Sequence, residues 1–223
     1  GANVVDIGQC GTEMIYFATS YLKTDGGIMI TASHNPADYN GMKLVTRGAR
    51  PVSADTGLKD IEIQVAVENF SHEEKAGVQR GTEISTNIMP AYIKHLLTYI
   101  DVNKLHPLKI VVNPGNGGAG AVLDELSKYL PFTFIKVNFA PDGTFPNGVP
   151  NPLLPKNREA TASRVRSEHA DLGVAWDGDF DRCFFFDAEA NFIEGYYIVG
   201  LLAESFLKKD AHSKIMYEQR LVW

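Results

Sequence analysis

The sequence has little cysteine, no long apolar run and no excess of positive charge, and each shortage excludes something. Only Cys10 and Cys183 occur among the 223 residues, and they form no short-range metal or redox motif. That excludes a disulfide-stapled secreted domain and points to a reduced, cytoplasmic compartment. No apolar stretch approaches the roughly 18 residues that span a membrane, and no basic, apolar signal peptide opens the chain. Lysine and arginine number 21 against 27 acidic residues, a formal charge of −6. Such a balance argues against a broad electrostatic footprint for nucleic acid. It leaves room for small anionic substrates, which need only a local positive site. Low-complexity tracts and short repeats are absent too. What is present is ordinary: 44% hydrophobic and 22% charged residues, enough apolar surface to exclude global disorder. Length sets one or two domains of roughly 100–200 residues each. The chain opens at Gly1, runs straight into the apolar stretch Val4–Ile7, and closes at Trp223 beside the strand-like stretch Lys214–Tyr217. It reads as an interior piece of a longer protein.

Periodicity predicts strands at Val4–Ile7, Ile28–Ile30 and Asn40–Val45. Helical spacing predicts helices over Thr12–Leu22 and, with Asp55 as N-cap, over Asp55–Asn69. A polar stretch, Ser71–Arg80, marks a loop near a domain edge. A second unit opens with a helix, Pro90–Tyr99, followed by a strand at Leu108–Val112, a helix at Ala119–Leu130 and a strand at Phe132–Val137. A long Pro/Gly/Asn-rich loop spans Pro141–Pro155, and long loops in compact domains are often functional. The helix Arg158–His169, the strands Asp171–Trp176 and Arg182–Phe186, and the helix Gly195–Lys208 complete the reading. Strands alternating with helices indicate α/β layers with a largely parallel sheet.

Two segments carry chemistry. Thr31-Ala32-Ser33-His34-Asn35-Pro36 follows a buried strand directly. A serine there stands at the sheet edge where open α/β folds bind ligands. His34 can move a proton or orient a phosphate, and Lys43 returns on the next strand within reach. A solvated Ser/Asn/Pro turn is the plain alternative. The second segment, Asp177-Gly178-Asp179-Phe180-Asp181-Arg182, sets three carboxylates at alternate positions on one side of an extended chain. So close together they repel unless a cation sits among them, and hard oxygen ligands suit Mg²⁺ or Ca²⁺. A calcium loop of the EF-hand type fails, because Arg182 stands where glycine is required and Ala188 where glutamate is. A phosphatase of the haloacid-dehalogenase type, with Asp177 as nucleophile, stays open, as does a solvated acidic turn. A third segment, Gly115-Asn116-Gly117-Gly118-Ala119-Gly120, matches the dinucleotide pattern G-x-G-x-x-G. Pro114 interrupts its strand-to-glycine turn, so a tight strand-to-helix turn is the favoured reading.

Taken together, the serine and aspartate segments resemble the α-D-phosphohexomutase family, in its order and at about its spacing. Asp38–Lys43, Pro146–Pro152 and Phe192–Tyr197 resemble its bacterial phosphomannomutases in particular. The resemblance implies phosphohexomutase-type α/β domains with mixed, largely parallel sheets, in a four-domain protein. This chain then holds the C-terminal part of domain I (1–87), domain II (88–191) and the start of domain III (192–223). Ser33 is implied as the phosphoserine. Asp177, Asp179 and Asp181, with the Ser33 phosphate, are implied as Mg²⁺ ligands. Lys43 corresponds to a proton-transfer and charge-stabilising residue, with His34 beside Ser33 in the active-site loop. Arg182 corresponds to a contact of the transferring phosphoryl group, and Arg220 to a basic residue facing substrate, in surroundings that depart from the family pattern. The implied reaction interconverts mannose 6-phosphate and mannose 1-phosphate through a hexose 1,6-bisphosphate that also serves as activator. Phosphoglucomutase or dual-specificity activity, and a truncated Mg²⁺- or phosphate-binding piece without turnover, are the alternatives. Partners are a phosphosugar, with no nucleic acid and no membrane, in a monomer or weak homo-oligomer. The family's sugar-recognition and distal phosphate loops are missing from this chain, so alone it is expected to be inactive.

Overall fold

The structure is a computed structural model, and it describes residues 1–67 and 79–216. The first unit comprises β1 (Val4–Asp6), α1 (Thr12–Tyr21), β2 (Gly26–Ile30), β3 (Met42–Thr46), β4 (Arg50–Pro51), α2 (Leu58–Ala66) and β5 (Glu83–Ser85). The second comprises α3 (Met89–Leu97), β6 (Lys109–Asn113), α4 (Ala119–Leu126), β7 (Thr133–Lys136), α5 (Glu159–Glu168), β8 (Leu172–Trp176) and β9 (Cys183–Phe186). The strand β10 (Phe192–Ile193) and the helix α6 (Gly195–Lys209) follow.

The second unit is built round β6. Its run Ile110-Val111-Val112 is apolar at every position because both faces are covered. Val111 packs with Ala162 and Val165 of α5 and with Phe186. Ile110 and Val112 point the other way, onto Ala119 and Leu123 of α4 and Val174. The sheet order is β10-β9-β8-β6-β7. β6 is parallel to both neighbours, while β9 and β10 join antiparallel. The C-terminal ends of β6 and β8 therefore lie side by side and release two loops at one edge: the glycine-rich turn after Asn113 and the aspartate loop after Trp176.

In the first unit β2, β3 and β4 form an antiparallel sheet, and β1 pairs parallel with β5. The register sets Met29 opposite Lys43 and Ile30 opposite Met42. The serine loop is thus the β2–β3 connection, and Lys43 comes back beside the base of that loop. One apolar cluster joins the two units: Met14 and Ala18 of α1 with Ile88, Tyr92 and Ile93 at α3 and Val122 of α4. Full burial of such a large apolar side chain stabilises by roughly 1.5–3 kcal/mol, so the seam beneath the two loops is held firmly.

The sheets are mixed as expected, with the parallel share confined to β1–β5 and the centre of the larger sheet. The single helix expected over 55–69 is divided. A 3₁₀ turn, Ala54–Thr56, precedes α2, and between them Gly57 has φ 125°, a value that glycine adopts at least cost. Ser53 and Thr56, not Asp55, make the capping box. Periodicity does not predict β4, β5 and β10, whose two or three residues carry too little apolar pattern to read and are strands because a partner meets them. Lys214, Ile215 and Met216 are not in a strand, and Tyr217 lies outside the described residues. Arg220 and most of the polar stretch 71–80 also lie outside them. No described helix is long and apolar enough to cross a membrane.

Candidate active site at the meeting of two loops

The serine loop and the aspartate loop, far apart in sequence, share one hydrogen-bonded cluster. Ser33 Oγ donates to Asp177 Oδ2 at 2.8 Å and lies 3.1 Å from His34 Nδ1. Arg182 Nη2 donates to Ser33 Oγ at 3.2 Å, and its Nε donates to Asp177 Oδ2 at 3.1 Å. The same Nη2 also contacts His34 Nδ1. Ser33 has φ 54°, the left-handed region that non-glycine residues enter only when the surroundings hold them there. Part of that hold is local: the Ser33 N–H donates to Thr31 Oγ1 at 2.8 Å.

Glycine makes the approach of the loops feasible. A Cβ on Gly178 would stand 2.4 Å from the Ser33 carbonyl oxygen, and one on Gly117 would stand 2.6 Å from the Gly178 carbonyl oxygen. The turn that matches a dinucleotide fingerprint is thus a packing device. Its N–H groups are engaged within the protein: Asn116 N with Asn138 O, Gly117 N with Pro114 O, and Gly118 N with Gly178 O. None of these three is left to cradle a pyrophosphate, and the tight-turn reading holds. Asn116, Gly118 and Phe145 share with Ser33 and Asp179 the wall of a cavity of about 340 Å³.

Each aspartate of the triad brings a carboxylate oxygen within 4.8 Å of the others. Asp177 and Asp179 are buried, at 1% and 3% exposure. Lys43 Nζ bridges Asp179 Oδ2 and Asp181 Oδ2 at 2.6 Å each. Its hydrogen bonds go to Asp179, Asp181 and Thr12, on the carboxylate side of the site. Burial pushes the Lys43 ammonium pKa down, but the two carboxylates outweigh that, and the net shift is upward. Burial pushes the Asp177 carboxyl up, only partly offset by Ser33 and Arg182. At Asp179 burial acts upward as well, yet donors led by Lys43 and Thr12 hold the carboxyl below its ordinary range.

The residues fit a hard cation. Three carboxylates face two cations, Lys43 and Arg182, so one negative charge is uncompensated. Asp179 Oδ1 and Asp181 Oδ1 are buried without a hydrogen-bond partner; Arg182 Nε lies 3.6 Å from the latter, too far for a hydrogen bond. Orphaned carboxylate oxygens of this kind are the donors Mg²⁺ takes. Asp177 has both oxygens engaged by Ser33 and Arg182, so it is turned toward the serine and is not presented as a free nucleophile.

The structure thus brings Ser33, His34, Lys43, Asp177, Asp179, Asp181 and Arg182 together. Thr12 belongs with them and was not foreseen. Its hydroxyl lies between Asp179 Oδ2 at 2.8 Å and Lys43 Nζ at 3.1 Å. A threonine at the first position of a helix looks like ordinary helix-start chemistry, and nothing in its neighbours marks it otherwise.

The family model for phosphoglucomutase/phosphomannomutase alpha/beta/alpha domain I matches residues 1–72, and that for domain II matches residues 90–190. The chain is 56% identical over its whole length to phosphohexose mutases of Xanthomonas campestris, covering 49% of that sequence. It is likewise 56% identical to a phosphomannomutase of Escherichia coli, of which it covers 50%. A phosphoglucomutase/phosphomannomutase family protein of Burkholderia thailandensis superposes on 94% of this chain and 45% of its own, with a TM-score of 0.82 and 30% identity. The chain spans about half the length of the curated relatives it matches. Two successive domain models of one family, meeting at the cluster formed by Ser33 and the aspartate loop, establish that the chain belongs to the phosphoglucomutase/phosphomannomutase family.

Proposed function

We propose that this chain carries the phosphoserine and metal-binding part of a cytoplasmic phosphomannomutase, which interconverts mannose 6-phosphate and mannose 1-phosphate through a hexose 1,6-bisphosphate. The observation that carries the reading is the hydrogen bond of Ser33 Oγ to Asp177 Oδ2 at 2.8 Å, which ties the serine to the carboxylate triad. In the forward half-reaction the P–O bond to Ser33 breaks as a new one forms to the free hydroxyl of the hexose monophosphate, whose proton is balanced by the one the freed Ser33 oxygen takes up. In the return half the Ser33 oxygen takes the other phosphoryl group, the P–O bond to the sugar breaks, and the sugar oxygen set free gains a proton. The Ser33 proton then has acceptors at Asp177 Oδ2 and His34 Nδ1. Phosphoryl transfer needs positioning and charge neutralisation above all. Arg182 aims the Ser33 oxygen and offers cationic N–H donors to the moving group. Lys43, held protonated between two carboxylates, supports the charge-holding half of its expected role; acting as a base would require giving up those bonds first. Mg²⁺, held by Asp177, Asp179 and Asp181, would share the charge of the phosphoryl oxygens. Mannose as the sugar rests on relatives named phosphomannomutases.

The test is transfer of labelled phosphate from hexose 1,6-bisphosphate to the full-length protein, followed by mapping of the modified residue. Acid-stable label on Ser33, lost with mutase turnover in Ser33→Ala, is the expected result. An acid-labile label on Asp177, or near-normal turnover in Ser33→Ala, overturns it. Relative kcat/KM on mannose and glucose phosphates then decides the sugar.

A further inference from the structure

We propose that Thr12 and Thr31 are positioning residues that make Asp179 a one-oxygen ligand, by saturating Oδ2 and leaving Oδ1 free for the cation; this rests on the metal-binding role proposed above. Asp179 Oδ2 accepts from three donors: Lys43 Nζ at 2.6 Å, Thr12 Oγ1 at 2.8 Å and Thr31 Oγ1 at 3.1 Å. Asp179 Oδ1 accepts from none, although it is buried. Two oxygens on one carboxylate carbon with so unequal a set of partners imply a fixed carboxylate plane.

Both hydroxyls are directional, because each also accepts. Thr12 Oγ1 accepts from Lys43 Nζ at 3.1 Å, and Thr31 Oγ1 accepts from the Ser33 N–H at 2.8 Å. A hydroxyl has one hydrogen, and in each threonine it is sent to Asp179 Oδ2. Lys43 alone would not fix the carboxylate, since its three donors rotate freely and also serve Asp181. Thr12 is itself rigidly placed: it is fully buried at the start of α1, and its N–H donates to the Asp179 carbonyl at 3.1 Å. Thr31 links the two loops, holding the Ser33 backbone in its left-handed conformation with one lone pair and the metal ligand with its hydrogen.

Outer partners of metal ligands typically contribute about 10–100-fold to metal affinity. The test is Mn²⁺ binding to the full 223-residue chain, followed by the loss of the free-ion electron paramagnetic resonance signal. Thr12→Val keeps the shape and removes the hydroxyl, and about a tenfold or larger rise in Kd is expected. Thr12→Ser restores affinity to within about threefold, which a role in packing alone would not explain. Circular dichroism checks the fold; should Thr12→Val not fold, Thr31→Val on the loop carries the same expectation. Unchanged Mn²⁺ affinity in the folded valine variants overturns the proposal, and so does a parent chain that binds no Mn²⁺. Neither outcome touches the phosphoserine reading, which the labelling of Ser33 decides separately.

Discussion

Replacing Gly178 with alanine tests whether the closeness of the two loops, and not merely their residues, produces the site. The new Cβ would stand 2.4 Å from the Ser33 carbonyl oxygen, with the Pro150 ring at 3.6 Å behind it. Ordinary contact begins about 1 Å further out, and the obstacle is backbone, which has no rotamer to escape into. Gly178 does not need a positive φ, so the whole effect comes from this collision. Relief requires the serine loop or the aspartate loop to move by about 1 Å. Overpacking of this kind costs roughly 1–3 kcal/mol. For a chain of this size each kcal/mol lowers Tm by about 2–4 °C, giving a fall of about 2–12 °C. A 1 Å misplacement of reacting groups costs about a hundredfold in rate. The full-length Gly178→Ala protein is therefore expected to lose about a hundredfold in kcat, with a smaller change in KM. The readouts are a coupled mutase assay on the full-length protein and a thermal melt of the 223-residue chain. Wild-type kcat with an unchanged Tm would show that the loops do not meet as described.

Asp179→Asn removes the charge from the ligand with the free buried oxygen, and Mg²⁺ affinity by calorimetry is expected to fall at least tenfold; equal affinity refutes the site. Thr161→Val leaves the Asn113 Nδ2 donor, now bonded at 2.9 Å in a buried pair, without its acceptor. About 1–3 kcal/mol of stability should be lost, and a denaturant midpoint equal to wild type contradicts that pairing. Burial, helped by Asp6, raises the Cys10 thiol to about 11. The thiol is neutral at pH 8, and in Cys183→Ser protein its alkylation rate should climb about tenfold per pH unit from 8 to 10; a plateau near pH 9 argues against the shift. The 223-residue chain alone should turn over mannose 1-phosphate at least about a hundredfold more slowly than a full-length relative, because remote contacts orient the reacting end; a rate within tenfold contradicts this.

Local chemistry alone determined a good deal. The spacing of Asp177, Asp179 and Asp181 made them readable as a candidate cation site, but the segment is a turn and not the extended chain expected: Phe180 has φ 46° and its N–H donates to the Asp177 carbonyl at 3.1 Å. The run Leu108–Val112 was readable as a strand and Ser33 as standing just past a strand end, but the strand before Ser33 is not the buried one expected: Met29 is buried while Ile28 and Ile30 are exposed. Contacts between distant segments were not readable. Ser33 and Asp177 lie 144 residues apart, and their meeting depends on the apolar seam of α1, α3 and α4 and on the absence of a Cβ at Gly178 and Gly117. Lys43 was readable as lying within reach of the site, but only the β2–β3 register and the packing of the two units show that it sits between Asp179 and Asp181. Thr12 gave no signal at all, since a hydroxyl acquires its role only from the two groups that the fold places on either side of it. The G-x-G-x-x-G turn was ambiguous as a string and became a packing element once its N–H groups found partners. Spacing along a chain sets which side chains face one way, because backbone geometry is local; which of them touch across the molecule is decided by packing, and only the tertiary structure contains that.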